Sequence, residues 1–348
     1  MTAAVPTRPA KPILANVLLT PGRIIATDLE LRIETAIGYD GTPLLLPHAR
    51  LSQIVASAGN AEQIEISATG SGTATITAEG GSWKLPTEDV AEYPTRPATD
   101  DTLIGRLPAD QFRALLNTVR FATDNESSRY ALGGVCMEYD RDSGTLYFVA
   151  TDGRRMAVAE CSLGDGQDPD SSSTLAPRRA IDVLVRLCTG VDAIELRRTA
   201  NELIATVDGT TVYARLIDGR FPRWRDVDTA VTDTVAPSMV VVGELLHACE
   251  MAAVCTSEES RATNWSFTTK GLTISGQSAE NGESFAVCEL VELGHKTAVQ
   301  LDPEYAIEWL RTLDGAETIT VQAIDESTAV VFRAGGGCRQ IVMPMLKD

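Results

Sequence analysis

Histidine is scarce in this chain. His48, His247 and His295 are the only three in 348 residues, and they lie far apart. Histidines so placed are ordinarily surface or cap residues, and no HExxH pair sets two of them on one helix face. The seven cysteines (Cys136, Cys161, Cys188, Cys249, Cys255, Cys288, Cys338) are scattered and never spaced as CxxC. That pattern argues against a disulfide framework or a zinc site and for reduced thiols in the core. GxGxxG, the Walker loop and a GxSxG turn are all missing. Asp152 with Asp140 and Asp142 is a conceivable metal set, yet Asp140 and Asp142 flank a Ser-Gly turn, where solvated acids are ordinary. Catalysis, metal and cofactor find no foothold. No apolar run approaches the roughly 18 residues of a membrane span, and Met1–Pro9 lacks the apolar core of a signal peptide. The expected location is the cytoplasm.

What is present is acid. The formal net charge is −18, with 44% hydrophobic and 22% charged residues, an ordinary globular balance apart from its sign. Such acidity excludes a protein that grips nucleic acid by bulk phosphate attraction, though not one with a local basic surface. The length calls for two or three domains.

One pattern comes three times: a Leu/Pro start, an amphipathic helix, alternating strands and an exit proline. It runs from Pro47 to Pro94, from Pro177 to Pro222 and from Pro303 to Pro344, and the exits recur after 128 and 122 residues. A second helix-plus-strands unit precedes the later two copies, from Leu107 to a turn at Thr151-Asp152-Gly153, and from Met239 to a turn at Ser278–Gly282. Thr27-Asp28-Leu29-Glu30-Leu31 is the matching turn of the first copy. Thr151 lies 44 residues past Leu107, but only 26 residues precede Thr27. The first copy is therefore expected to lack its opening strand and helix. Periods this long fit duplicated domains rather than a solenoid. The fold class is α+β, three duplicated domains of two helix-plus-antiparallel-sheet halves, with boundaries at 1–102, 103–230 and 231–348. Linkers are expected at 98–102 and 226–237, and a surface loop at 163–173.

The helix expected over 109–122 buries Phe112, Leu115, Leu116 and Val119 and turns Arg113, Asn117 and Arg120 the other way. The next helix buries Ile181, Leu184, Val185 and Cys188 and leaves out Arg178, Arg179 and Arg186. Arginines outside a helix are usually a solvated face; two such faces in an acidic chain make a phosphate-facing surface an equal reading. The third copy exposes Glu244, Glu250, Glu304, Glu308 and Arg311, so any such surface is uneven.

Six stretches in order, Arg8–Leu19, Thr27–Leu31, Ser128–Val135, Ala150–Ala157, Arg215–Pro222 and Val342–Leu346, resemble the bacterial DNA polymerase III beta subunit family, the sliding clamps, and the resemblance covers essentially the whole chain. It implies a non-catalytic subunit of a nucleotidyltransferase holoenzyme: a head-to-tail homodimeric ring that encircles double-stranded DNA without sequence preference and confers processivity. Its implied partners are the DNA polymerase III alpha subunit, the clamp loader and repair polymerases, bound through short linear motifs. The implied peptide pocket is Leu132, Thr151, Gly153, Arg155, Met156, Pro222, Val227, Ile341, Val342, Met343, Pro344, Met345 and Leu346, adaptable aliphatic and Met walls suited to several sequences. In this reading the turn sets Arg155 and Met156 at the pocket's mouth. The implied DNA contacts are Arg8, Arg129 and Tyr130, joined by Arg113, Arg120, Arg179 and Arg186; the implied dimer contacts are Trp83, Val254 and Cys255. Ala56, Ala131 and Glu126 depart from the family's contact residues. Those departures favour an alternative, a clamp-like paralogue that mainly binds peptides or an inhibitor.

Overall fold

The computed structural model describes residues 1–348 apart from Asn60, Ser71, 125–129, 164–172, 231–234, 258–260 and 346–348; of Tyr130, Thr229 and Ala230 only the backbone is described. The chain forms two compact units, Met1–Asp110 with Asp182–Leu216, and Gln111–Ile181 with Ile217–Asp348.

In chain order the elements are β1 (Asn16–Thr20), β2 (Arg23–Thr27), β3 (Leu31–Ala36), β4 (Leu44–Pro47), α1 (His48–Ala58), β5 (Glu65–Ala68), β6 (Thr73–Ala78), β7 (Gly81–Pro86), β8 (Thr102–Pro108), α2 (Ala109–Asn117), β9 (Gly134–Asp140), β10 (Thr145–Thr151), β11 (Arg155–Ser162) and β12 (Ser173–Pro177). There follow α3 (Arg178–Leu187), β13 (Ala193–Arg198), β14 (Glu202–Val207), β15 (Thr210–Arg215), α4 (Trp224–Ala230), β16 (Ser238–Val241), α5 (Val242–Ala253), β17 (Thr263–Thr268), β18 (Gly271–Ser278), β19 (Gly282–Cys288), β20 (Ala298–Leu301), α6 (Pro303–Leu310), β21 (Thr318–Gln322), β22 (Val330–Arg333) and β23 (Arg339–Val342).

The first unit carries an eight-stranded sheet in the order β4-β1-β2-β3-β15-β14-β13-β8 and a three-stranded sheet, β5-β6-β7. The second carries β12-β9-β10-β11-β23-β22-β21-β16 and a four-stranded sheet, β19-β18-β17-β20. Every pairing is antiparallel, so hairpins and short connections suffice. Each long sheet joins two sequence repeats by one rule. The strand that follows the Thr-Asp turn pairs with the last strand of the next repeat: Leu31 opposite Ala214 on β3·β15, and Arg155 opposite Val342 on β11·β23. The compact units follow these sheets, and each takes part of the middle repeat. Where β8 completes β13 and β16 completes β21, β5 has no fourth strand among the described residues.

The period-two alternation of the strands builds the cores. In the second unit the larger core holds Trp265, Trp309, Phe267 and Phe332 between α5, α6 and the sheets, with Val342 in it. A separate cluster on the other face of the long sheet gathers Met156, Val158, Ile341, Val331, Phe221 and Trp224. In the first unit Tyr93 is buried on Leu18, Ile25 and Leu45; its hydroxyl accepts from the Thr27 amide at 3.1 Å and donates to the Asn16 carbonyl at 3.4 Å. Burial raises its pKa from 10.0 to about 12, against the smaller opposing pull of the Thr27 amide hydrogen bond and the Arg32 charge.

Two expectations need correcting. The helix over 109–122 stops at Asn117: the Thr118 hydroxyl donates to the Leu115 carbonyl at 2.8 Å, and a 3₁₀ turn, Arg120–Ala122, follows. The linker expected over 226–237 begins as helix, because α4 runs to Ala230. None of the seven cysteines is in a disulfide, and all but Cys255 are buried.

Candidate functional site

The turn between β10 and β11 is built by its own side chains. Thr151 Oγ1 donates to the Arg155 carbonyl at 2.6 Å and accepts from the Gly153 amide at 3.1 Å. Asp152 Oδ1 accepts from the Arg154 and Arg155 amides at 2.9 and 3.0 Å, the Asx arrangement that turns favour. Gly153 has φ +88°, which a side chain would strain. Asp152 is thus a turn-former. Asp140 does the same in its own turn, accepting from the Asp142 amide at 3.0 Å. No group of three or more metal-ligating side chains occurs among the described residues.

Beyond the turn, β23 runs beside β11, Met156 opposite Ile341. The chain then continues past the strand end. The Met343 amide donates to the Arg154 carbonyl at 2.9 Å, and the Met345 amide to the Gln300 carbonyl at 2.8 Å. A shallow cavity of about 240 Å³ lies beside Met345, between Gln300, Asn264 and Ser327. Met343 and Val227 are 49% and 42% exposed, unusual for large apolar side chains. Both lie next in chain to one buried cluster: Ile341, two residues before Met343, and Trp224, three before Val227, pack there with Met156 and Phe221.

Alternation splits the residues expected to share the pocket. Met156 and Ile341 face that buried cluster, and Arg155 and Val342 face the opposite side. Arg155 is 8% exposed and does not stand at a mouth. It pairs with Asp152 at 3.0 Å and with Glu308 of α6, and its guanidinium lies 4.6 Å from the Tyr305 ring and 5.0 Å from the Phe121 ring. Val342 is a core residue. Leu132 and Thr151 are buried, Pro222 and Gly153 exposed, and Pro344 half-buried; Leu346 lies outside the described residues. Sequence reasoning missed Trp224, Phe221, Ala329 and Val331, which pack with Met156. An aromatic two residues after the Phe-Pro exit was the only available sign.

α4 forms one border of this region. Trp224 Nε1 donates to Glu138 Oε2 at 3.0 Å, and Arg225 Nε donates to Glu138 Oε1 at 3.0 Å. The Arg225 guanidinium stacks 4.6 Å from Tyr147 and 4.5 Å from Trp224. Three residues on, both Asp228 oxygens accept from Arg339, at 2.7 Å each, and Arg339 also reaches Glu160 at 2.8 Å.

The expected DNA contacts are scattered by description. Arg8, Arg113, Arg179 and Arg186 are exposed. Arg120 is half-buried and donates to Asn117 Oδ1 at 3.0 Å. Arg178, expected outside, is half-buried and donates to Thr123 Oγ1 at 3.3 Å. Arg129, Glu126 and the Tyr130 side chain fall outside the described residues. Glu308 and Glu250, read as exposed acids, are ion-paired with Arg155 and Arg311. Of the expected dimer residues, Trp83 is half-buried on β7. Val254 is 74% exposed at the end of α5, and Cys255 is half-buried beside it.

Residues 106–223 match the family model described as DNA polymerase III beta subunit, central domain. The chain is 27% identical to the beta sliding clamp of Proteus mirabilis and 26% identical to that of Escherichia coli K12; each match covers 97% of this chain and 93% of the relative. In fold it matches the DNA polymerase sliding clamp of Bacillus subtilis with a TM-score of 0.89 at 20% identity, over 100% of this chain and 95% of that one. The Pseudomonas aeruginosa sliding clamp solved with griselimycin also matches with a TM-score of 0.89, at 22% identity over 99% and 94%.

Proposed function

This chain belongs to the bacterial DNA polymerase III beta subunit family, and from that premise we propose that it is a sliding clamp. It catalyses nothing itself. Two copies close head to tail around duplex DNA, and the ring tethers the polymerase III alpha subunit, the clamp loader and repair polymerases by short apolar motifs. The three domains of the ring are 1–102, 103–230 and 231–348.

One observation carries the ring: the strand-pairing rule is satisfied twice within the chain and left open once. β3 takes β15 and β11 takes β23, while β19 and β7 are both edge strands. An unpaired edge is a template for another strand. The rule assigns β19 of one copy to β7 of the next. Gly282 stands four residues past Ser278 as Leu31 stands four past Thr27. Leu85 stands in its hairpin where Ala214 stands in β15, because Ala78 opposite Gly81 repeats Val207 opposite Thr210. The register then sets Glu283 opposite Lys84 and Ser284 opposite Trp83 of the second copy. Ser284 donates to the Ala252 carbonyl at 2.7 Å and so faces the end of α5, which brings Trp83 to Val254 and Cys255.

The charge supports sliding rather than gripping. A ring linked topologically to DNA needs weak phosphate contacts, and Arg8, Arg113, Arg120, Arg129, Tyr130, Arg179 and Arg186 supply a few in a body of net charge −18. For partner motifs the pocket is the patch of Val227, Pro222, Met343, Pro344 and Met345 over Met156 and Ile341. Synthesis on a primed circle with the host polymerase and loader tests the function: added protein lengthens the product made in one binding event, and unchanged product length refutes the proposal.

A further inference from the structure

Helix propensity does not hold α4 in place: Trp224 is sunk in the cluster at its start, and the rest of the helix depends on its surroundings. It is seven residues long, Trp224–Ala230, well short of the roughly 12 to 15 residues at which an isolated helix is even marginal. Asp226 sits in its first turn, and Asp228, a poor helix former, falls toward its C-terminal end. Yet it carries Val227, an exposed apolar side chain on the border of the peptide pocket. Something outside the helix must decide where Val227 stands.

Two ion-pair anchors do so, at successive turns. The first is Glu138 of β9, which takes Trp224 and Arg225 together. The second is Arg339 at the start of β23, whose Nε and Nη2 meet the two Asp228 oxygens in a parallel fork. Arg339 is only 16% exposed in its side chain and is braced from behind by Glu160 of β11. Gly337 makes room for that brace, since a Cβ there would lie 2.4 Å from the Glu160 side chain. Planar guanidinium and carboxylate fix both distance and direction, which a lysine could not. The same β23 that carries Arg339 also carries Ile341 and leads into Met343. One strand therefore bears the pocket floor and the group that ties down its wall.

We infer that Arg339, acting through Asp228, is a positioning residue for partner binding: it fixes α4 so that Val227 forms a wall at a set distance from β23. Neither residue touches the peptide. This rests on the peptide-pocket reading above, and the two are separable by experiment.

The probe is a fluorescently labelled clamp-motif peptide titrated against the full-length protein by anisotropy. Asp228→Asn keeps the shape and removes the charge, and Asp228→Glu keeps the charge. The expected result is binding weakened about tenfold, a loss of ~1.4 kcal/mol, by Asp228→Asn, with affinity largely retained in Asp228→Glu. In the Asp228→Asn background, Val227→Ala adds little further loss, because the wall has already moved. A thermal melt of each variant confirms folding; if Asp228→Asn is not folded, Arg339→Lys replaces it, keeping the charge but not the fork. Val227→Ala weakening the peptide while the folded Asp228→Asn or Arg339→Lys binds like the parent overturns the inference. Additive losses from Val227→Ala and Asp228→Asn overturn it as well. If neither Val227→Ala nor Met343→Ala weakens the peptide, the pocket reading itself fails.

Discussion

Arg155 lies directly opposite Val342 across β11 and β23, and both side chains turn away from the apolar cluster that their neighbours Met156 and Ile341 enter. A single strand pair thus serves two purposes. One face locks α6 to the turn through Arg155, and the other floors the proposed peptide pocket.

Arg155→Ala is expected to destabilise the fold by about 1–3 kcal/mol, the cost of leaving partly buried partners without their hydrogen bonds. It strips Asp152 and Glu308 of their partner and removes two aromatic contacts. Met156→Ala costs about 2–5 kcal/mol as a buried truncation, but it also weakens the labelled peptide. Urea unfolding and peptide titration of the two variants separate the roles; a peptide loss in a folded Arg155 variant equal to that of Met156→Ala would mean that Arg155 lines the pocket after all.

Much of this architecture could be read from the sequence. The Thr-Asp turn marked the phase of the repeat, and helical spacing picked out Ile181, Leu184 and Val185 as the buried face of α3. α4 could not be read, since Asp226, Asp228 and Thr229 look like linker and their helix is held by Arg225–Glu138 and Arg339–Asp228, contacts between residues far apart in sequence. Nor could the direction of Arg155 be read from a motif. It follows from period two only once the strand is known to start at Arg155. The pairing of β3 with β15 and of β11 with β23 likewise joins residues more than one repeat apart in sequence.

Tyr93→Phe should cost about 1–3 kcal/mol by leaving the buried Thr27 amide without its acceptor. Chemical denaturation gives the difference directly, and a change within error would show the amide finding another partner.

Stability should fall on the alkaline side. Burial lifts the thiols of Cys136 and Cys288 from 9.0 to about 12 and that of Cys161 to about 11. A folded pKa above the unfolded one means that the folded state holds the proton longer. The contribution is then complete below pH 9 and is lost as pH rises through 9 toward 12. Replacing Cys136, Cys161 and Cys288 by Ala should flatten that slope while lowering stability at neutral pH. An unchanged slope would assign it to other groups, Tyr93 among them.

At the proposed ring closure, Lys84→Glu sets a glutamate against Glu283 and should raise the dimer dissociation constant several-fold, cross-strand charge pairs being worth about 0.2–1 kcal/mol each. Adding Glu283→Lys should restore the dimer. Light scattering after gel filtration across a dilution series reads both, and no rescue in the double variant would rule out the register.

Topology is the centre of the account, and retention on DNA tests it most directly. The protein is loaded by the host clamp loader onto nicked circular DNA, passed through a sizing column in moderate salt, and compared with the same complex after one restriction cut. The protein is expected to stay with the circle and to run off the cut molecule. Equal retention on circular and linear DNA would contradict a topological link.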